Sequence, residues 1–558
     1  MKLKFINKIT SAALLLALSV STTSCVNDLN QSIKDPQTNT TFNQMGTLAK
    51  IYGNLILTGI KGPAGDATKG EPDMAQFDEG SSSLYRRVFE ANELPSDETV
   101  WTWQSDPGIS DLTNLNWNSS HGLNNLTYYR LEFNITLCNF FLDNTEGKTD
   151  AETLKQRAEV RFLRALHYYY FIDLYGKAPF KEHYNTDIPV EKSRKDVFDY
   201  ITAELKAISD GSATDQLSEP GAAAYGRADK AAAWMLLARL YLNAGVYTGT
   251  PQWQAAKDYS DKVINESGYK LNTQSLNGYT AYEQLFMGDN GENGASVEAV
   301  FPILQDGKKT ASWGSTLFLM ASTFDAGVTV DPNGVAGNNT SENWAGNRAR
   351  KSLVDKFFPN NNAPYVHANQ MTAAAGDDRA LFDALQADGN KRNIDQANAD
   401  QVSVFSNGFA VAKFTNFHSD GSAGHDAKFT DTDFFLMRVA EAYLTYAEAT
   451  ARLNGNQTTT EGTAAINALH KRAHAQERTG GSYTLDDILD EWSREFYFEG
   501  RRRSDLIRFG RFGGNNNYTW PWKGGVHEGT QVSATKNIYA IPTNDKNVNP
   551  NIKQNPGY

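Results

Sequence analysis

Cysteine is nearly absent: 558 residues hold two, Cys25 and Cys138. That excludes a disulfide framework and any cysteine-based metal centre. Cys138 sits in the apolar run Leu137-Cys138-Asn139-Phe140-Phe141 and is expected to be a small buried hydrophobe. Long apolar runs are missing too. The one candidate, residues 11–20 (SAALLLALSV), is too short to span a bilayer. Basic residues are in deficit, with 53 Lys and Arg against 65 Asp and Glu and a net charge of −12. An acidic chain is a poor ligand for nucleic acid or anionic lipid head groups. A phosphate loop, a G-x-S-x-G elbow and an H-E-x-x-H helix are all lacking, which removes the commonest hydrolase and nucleotide-binding signatures.

What is present begins at the N-terminus. Lys2, Lys4 and Lys8 precede the apolar run, and small and hydroxyl residues then lead to Cys25. This is the pattern of a secretory signal peptide over residues 1–24. An apolar core followed at once by cysteine looks like a bacterial lipoprotein signal, with Cys25 as first mature residue and lipid attachment point. A free or disulfide-bonded Cys25 is the alternative. Removing residues 1–24 takes away three lysines and no acid, so the mature charge moves from −12 to −15.

Helical periodicity dominates the body. Tyr128, Leu131, Ile135, Cys138, Phe141 and Leu142 recur at three- and four-residue spacing over 127–144. Thr149-Asp150-Ala151-Glu152 opens the next helix, which stops at Gly176 and Pro179. Further helices are expected over 196–209, 229–244, 253–265, 434–453, 459–473 and 485–498. Small residues interleave with large aromatics in them, as in Ala238-Arg239-Leu240-Tyr241-Leu242, which suits tetratricopeptide-like helix pairs. The expected fold is mainly α: about four such pairs over 122–268 and 434–500, a loop-rich insertion over 270–430, and a tail over 501–558. Short strands are expected near 299–304 and 409–415. Binding surfaces tend to sit on long loops carried by a rigid scaffold, so function is expected from residues 53–117 and 270–430.

Four constellations could carry chemistry. Glu491, Glu495 and Glu499 fall four residues apart and are expected to share one helical face, and Glu495 with Glu499 could form the carboxyl pair of a glycosidase. The dense arginines around them (Arg494, Arg501, Arg502, Arg503, Arg508) favour ion pairs that depress both carboxyls and hold the fold. His470 and His474 lie one turn apart without a third ligand nearby in sequence. Asp431 and Asp433 could bind a hard cation or cap a following helix. Finally, Trp101 and Trp103 lie two apart among acids and amides in 92–106. They are read either as a sugar-stacking platform with Asp78 and Arg86 as its polar groups, or as a plug against the helices.

The C-terminal R-E-F-Y-F-E-G-R-R-R-S-D-L-I-R-F-G (494–510), the ending I-P…Q-N-P-G-Y and the R-F-L-R-A-L-H-Y-Y-Y-F-I-D-L-Y-G-K-A-P-F helix (161–180) together resemble the SusD/RagB family of outer-surface glycan-binding lipoproteins. N-E-L-P-S-D-E-T-V-W-T-W-Q (92–104) and F-D-E-G-S-S-S-L-Y-R (77–86) look closest to the family's starch-binding member. The resemblance implies a non-enzymatic, lipid-anchored α-glucan binder at the outer membrane, serving a SusC-like TonB-dependent transporter. It implies an aromatic arc beginning at Trp101 and including Trp344, with Asp78 and Arg86 as hydroxyl-binding partners. Asp106 stands where the family has asparagine, and Phe318 stands near its arc tyrosine. A structural calcium site at Asp306, Asp431 and Asp433 is implied as well.

Overall fold

The computed structural model describes residues 42–59, 72–74, 80–211 and 213–558. The chain divides into two units, Met1–Thr47 and Leu48–Tyr558. Of the first, only residues 42–47 are described, and they open the Gln44–Gly53 helix. The signal read over 1–24 and Cys25 lie outside the described residues. No helix among the described residues is long and apolar enough to cross a membrane.

The second unit is a run of helices, each packed on the one before. Gly122–Asn144 lies on Ala151–Leu174, which lies on Arg194–Ser209, then Lys230–Leu242, then Trp253–Glu266. The chain then leaves for the insertion and returns as Val439–Leu453, which packs on Trp253–Glu266 and carries Thr460–Arg472 and Leu485–Phe496. Those eight helices form the four expected pairs, continuous across the insertion. Local chemistry sets their starts: Asp150 accepts from the Thr153 amide, Asp229 from the Ala232 amide, and Thr484 with Asp487 forms a capping box. Lys230–Leu242 is buried nearly all round, as its small-large pattern allows.

Two expected boundaries are corrected. Residues 434–438 form a strand, Phe434–Arg438, that pairs antiparallel with Ala299–Ile303 before the helix begins at Val439. The Leu485–Phe496 helix stops short of Glu499. Phe498 turns left-handed (φ 60°), and Gly500 follows at φ 78°, a conformation glycine adopts without strain. Glu499 therefore enters the interior through a turn, not along a helical face. Glu93 holds that turn, its Oε1 accepting from the Gly500 and Arg501 amides at 2.8 and 2.9 Å.

The arginine-rich motif is structural throughout. Glu495 is fully buried, bonded by Arg438 at 2.5 Å and Arg379 at 3.1 Å, with Arg472 on the same carboxylate. Arg438 also spans Glu298 and Glu499, and Lys413 reaches Glu499 at 2.7 Å. Arg502 forks onto Asp97 at 2.7 and 2.9 Å, and Arg508 onto Glu448 at 2.8 and 2.9 Å. The tail closes over the Ala151–Leu174 helix. The Tyr539 amide donates to Leu174 O at 2.7 Å, and Asn555 Nδ2 donates to the carbonyls of Tyr175 and Tyr539 at 2.8 and 2.7 Å.

Burial alone would raise these carboxyls, yet the facing guanidiniums hold Glu491, Glu495, Glu441, Glu448 and Asp505 below their usual range. The folded state therefore binds fewer protons than the unfolded chain once acid reaches the unfolded carboxylate range. Their stabilisation is complete above about pH 4.5 and is lost as pH falls further. Asp433, which burial raises to about 7, acts in the opposite sense and gains the folded state stability as pH falls through that value. The urea midpoint is therefore expected to rise slightly from pH 8 to 5 and then to drop steeply between pH 5 and 3. A flat midpoint down to pH 3 would contradict the assignment.

Candidate functional site

The candidate site is built on a short antiparallel ribbon. Thr99–Trp101 pairs with Asn347–Ala349 in the register Trp101 to Asn347, and the Thr102 amide extends it to Gly346 O at 2.7 Å. Gly346 has φ 102°, and an added Cβ would lie 2.6 Å from Trp103 Nε1, so only glycine fits there. Because the strands run oppositely, Trp103 and Trp344 emerge at the same end of the ribbon. The Trp344 and Ala345 amides both bond Ala321 O, which docks that end on the Thr316–Thr323 helix.

Half-buried rings gather at this end. Trp344 lies 6.0 Å from Trp313, which meets Phe429 edge-on at 5.1 Å. Trp344 Nε1 donates to Glu342 at 2.7 Å, which fixes the indole plane. Trp103 lies 5.9 Å from Phe405, itself 44% exposed. Lys428 Nζ stands 5.0 Å from the Trp313 ring.

The expectation that Trp101 opens its face to solvent is corrected: it is 1% exposed. Its ring stacks on Phe318 at 5.6 Å and 18°, with Trp103 edge-on at 5.5 Å. Phe318, also 1% exposed, carries the Arg86 guanidinium 4.3 Å from its centroid. Trp101 and Phe318 are thus the backing of the site, not its surface. The strand pairing turns Trp101 inward, and the turn after Thr102 releases Trp103 outward. Arg86 is held by Glu90 at 2.8 Å, and Ser83 caps its helix while donating to Gly314 O at 2.7 Å.

Arg86, Trp101 and Asp106 line one cavity of about 580 Å³. Phe318 lies behind Trp101, and Trp344 stands on the other arm of the ribbon. Partial desolvation raises the exposed Asp106 carboxyl against the pull of Arg86, with Glu90 adding repulsion. Asp78 lies outside the described residues. Trp313, Phe405 and Phe429 were not singled out by sequence. Trp313-Gly314, an indole beside glycine in the insertion, is the only local signal there, and the others show none.

The proposed cation ligands do not converge as a trio. Ligand atoms of Asp306, Asp431 and His425 lie within 4.8 Å of one another. Asp433 is not in that group; its two oxygens accept from the Gln305 amide at 2.7 Å and Tyr225 Oη at 2.9 Å. Burial pushes it up to about 7. Neither aspartate caps a helix, since a strand follows. Asp289, Glu292, Asp306, Asp431 and Asp433 nonetheless line one cavity of about 610 Å³ with Gln305, whose buried Oε1 has no partner among the described residues. That oxygen-rich donor set fits a hard cation. The histidine pair is separated: His470 bonds Glu491 at 3.0 Å, and His474 bonds Asp378 at 2.7 Å.

Glu495 is fully buried and the Glu499 side chain is 4% exposed. Arg438 bonds both, with Arg379 and Arg472 on the first and Lys413 on the second, which is the ion-pair arrangement and not that of two free carboxyls flanking a bond.

A family model described as "SusD family" matches residues 320–558, and one described as "Starch-binding associating with outer membrane" matches residues 73–242. The chain is 45% identical over 586 residues to the starch-binding protein SusD of Bacteroides thetaiotaomicron, covering all of both chains. It is 24% identical over 392 residues to a SusD-like protein of Bacteroides ovatus, covering 68% of this chain and 64% of that one. Among solved structures, a SusD superfamily protein of Parabacteroides distasonis superposes with a TM-score of 0.62 at 17% identity, covering 93% and 100% of the two chains. A laminarin-binding SusD-like protein superposes with a TM-score of 0.62 at 17% identity, covering 92% and 99%.

Proposed function

The chain belongs to the SusD family, and from that membership we propose that it binds starch and malto-oligosaccharides at the cell surface and passes them to a transporter. The observation that carries the reading is the pair of half-buried indoles, Trp103 and Trp344, brought to one end of the ribbon with Trp313 and Phe429 beside them. Indole faces take the C–H side of a sugar ring, and Arg86 and Asp106 offer a donor and an acceptor for hydroxyls. A curved set of rings suits the coil of an α-1,4-glucan better than a flat β-linked chain. The protein holds the polymer and does not cut it.

The same reading places the mature chain at the outer membrane on a lipid at Cys25, beside a SusC-like TonB-dependent transporter. Support for it lies in the family descriptions and the full-length likeness to a starch-binding relative. Weak affinity per sugar is offset by many anchored copies acting on one long chain. The test is a native gel cast in turn with amylopectin, pullulan, dextran, levan and β-glucan. Retardation by the first two alone is the expected result. Retardation by the β-glucan instead would transfer the protein to the ligand class named for its laminarin-binding structural relative.

Calcium is proposed for the acidic cavity, held by Asp306 and Asp431 with Gln305 Oε1, and there it would supply structural cross-linking only. At a calcium concentration near a hundred times its dissociation constant, binding adds about 2.7 kcal/mol to stability. Chelation with EGTA is therefore expected to lower Tm, and calcium, not magnesium, to restore it. A Tm indifferent to both treatments would remove the cation from the account.

A further inference from the structure

Side chains alternate between the two faces of the ribbon. Asn347 and Ala349 share one face with Thr99 and Trp101, and Arg348 shares the other with Val100. Arg350 is still extended (φ −72°, ψ 152°) and continues the second face at the end away from the aromatic rings. It is 3% exposed. The Arg348 guanidinium is fully engaged, by the carbonyls of Thr323 and Phe405 and by Asp325. Arg350 differs. Its Nη1 donates to Pro521 O at 2.6 Å, but Nε and Nη2, the side-on fork of a guanidinium, are buried without a partner among the described residues. The acid whose charge reaches it, Asp97, is already bonded by Arg502 at 2.7 and 2.9 Å, Lys356 at 3.4 Å and Tyr518 Oη at 2.7 Å. Glu98, whose carbonyl takes the Arg350 amide, turns its carboxylate to Ser493 Oγ at 2.6 Å and Arg502 at 3.4 Å. Arg348 and Arg392 share the one carboxylate of Asp325, so that pairing has no charge to spare for a neighbour.

Gln396 adds a donor on the same face. An ideal Cβ on Gly408 would lie 2.8 Å from Arg348 Cβ and 3.2 Å from Gln396 Oε1, so the Gln396 amide packs beside Arg348. Gln396 is 5% exposed, and its Nε2 is also buried without a partner among the described residues. Its carbonyl accepts from Trp522 Nε1 at 3.1 Å, so consecutive residues of one turn, Pro521 and Trp522, hold Arg350 and Gln396. Burial pushes the Arg350 guanidinium down to about 9, as expected of a cation that lacks its counterion. We propose that a small monovalent anion of the halide class binds here, held by Arg350 Nε and Nη2 together with Gln396 Nε2. Two N–H groups of one charged fork make strong bonds to an anion, and a buried cation left without one is costly. A divalent oxyanion would bring more charge than the single unpaired guanidinium can match. Bound there, the anion braces the Pro521-Trp522 turn against the ribbon and takes no part in holding sugar.

Crystals grown in bromide give the direct test. An anomalous peak within hydrogen-bond distance of Arg350 Nε and Gln396 Nε2 is expected; water density without that signal would overturn the proposal. Thermal unfolding gives a second reading, at fixed ionic strength and fixed calcium, with chloride replacing gluconate. The wild-type Tm is expected to rise with chloride, logarithmically once the site fills. Gln396→Leu keeps the volume and removes one donor, and should move the onset of that rise to about tenfold higher chloride. Arg350→Gln should lose the response altogether. If Arg350→Gln does not fold, the bromide peak and Gln396→Leu still decide the matter. A chloride response of the same onset in wild type and Gln396→Leu would place the ion elsewhere and overturn the assignment. A bromide peak with no Tm response would mark an adventitious ion only, which overturns it as well.

Discussion

Trp344→Ala is expected to abolish retardation in an amylopectin gel while leaving the melting temperature within a degree or two of wild type. A solvent-facing indole at the centre of a binding surface is worth about 2 kcal/mol or more, roughly a thirtyfold loss. Contacts with single sugars are weak, so a loss of that size takes the protein below the threshold the gel detects. Trp103→Ala should behave in the same way, since Trp103 reaches the same end of the ribbon and its neighbour Phe405 is itself exposed. Trp101→Ala makes the informative contrast. Its ring is 1% exposed and stacked on Phe318, so its removal leaves a core cavity costing about 3–5 kcal/mol. Binding would then fall together with stability. If Trp344→Ala retained full retardation while Trp101→Ala lost it without any loss of stability, the surface described here would be the wrong one.

The largest effect on folding is expected from Arg438→Met. This guanidinium is fully buried, bonds Glu298, Glu495 and Glu499, and lies 3.9 Å from the Phe496 ring. Methionine keeps much of the volume and removes the charge, leaving Glu298, Glu495 and Glu499 to the cations that remain, Arg379, Arg472 and Lys413. Breaking one side of a buried ion network costs about 3–5 kcal/mol, more than replacing the whole network with apolar groups would. The urea midpoint at pH 7 should fall accordingly, or the variant should fail to accumulate as folded protein. Lys195→Ala, which breaks an exposed pair with Asp199, should not move the midpoint. Similar midpoints for the two variants would mean that the buried network contributes little.

Both experiments touch features that differ in how far sequence exposes them. The helix pairs are legible because each needs only its own periodicity and cap, as Asp150 and Asp229 show. The structural role of Glu495 is legible as well, since arginine density around a carboxylate announces an ion pair. The strand over Phe434–Arg438 is not, because its partner lies at Ala299–Ile303, far away in the chain. The choice between Trp101 and Trp103 fails for the same reason. Two residues apart in an extended stretch, they are equivalent until Asn347 pairs with the first and Gly346 makes room for the second. Asp433 resembles Asp431 in sequence and differs in space through its bonds to Gln305 and Tyr225.

The segment after Leu506 bears on stability across a long stretch of chain. Asn555 fastens to a carbonyl 380 positions upstream, and the Tyr539 amide bonds the last carbonyl of the Ala151–Leu174 helix. One amide side chain thus satisfies the buried carbonyls of both Tyr175 and Tyr539, and replacing it by alanine would strand two acceptors at once and loosen the seam between tail and helix.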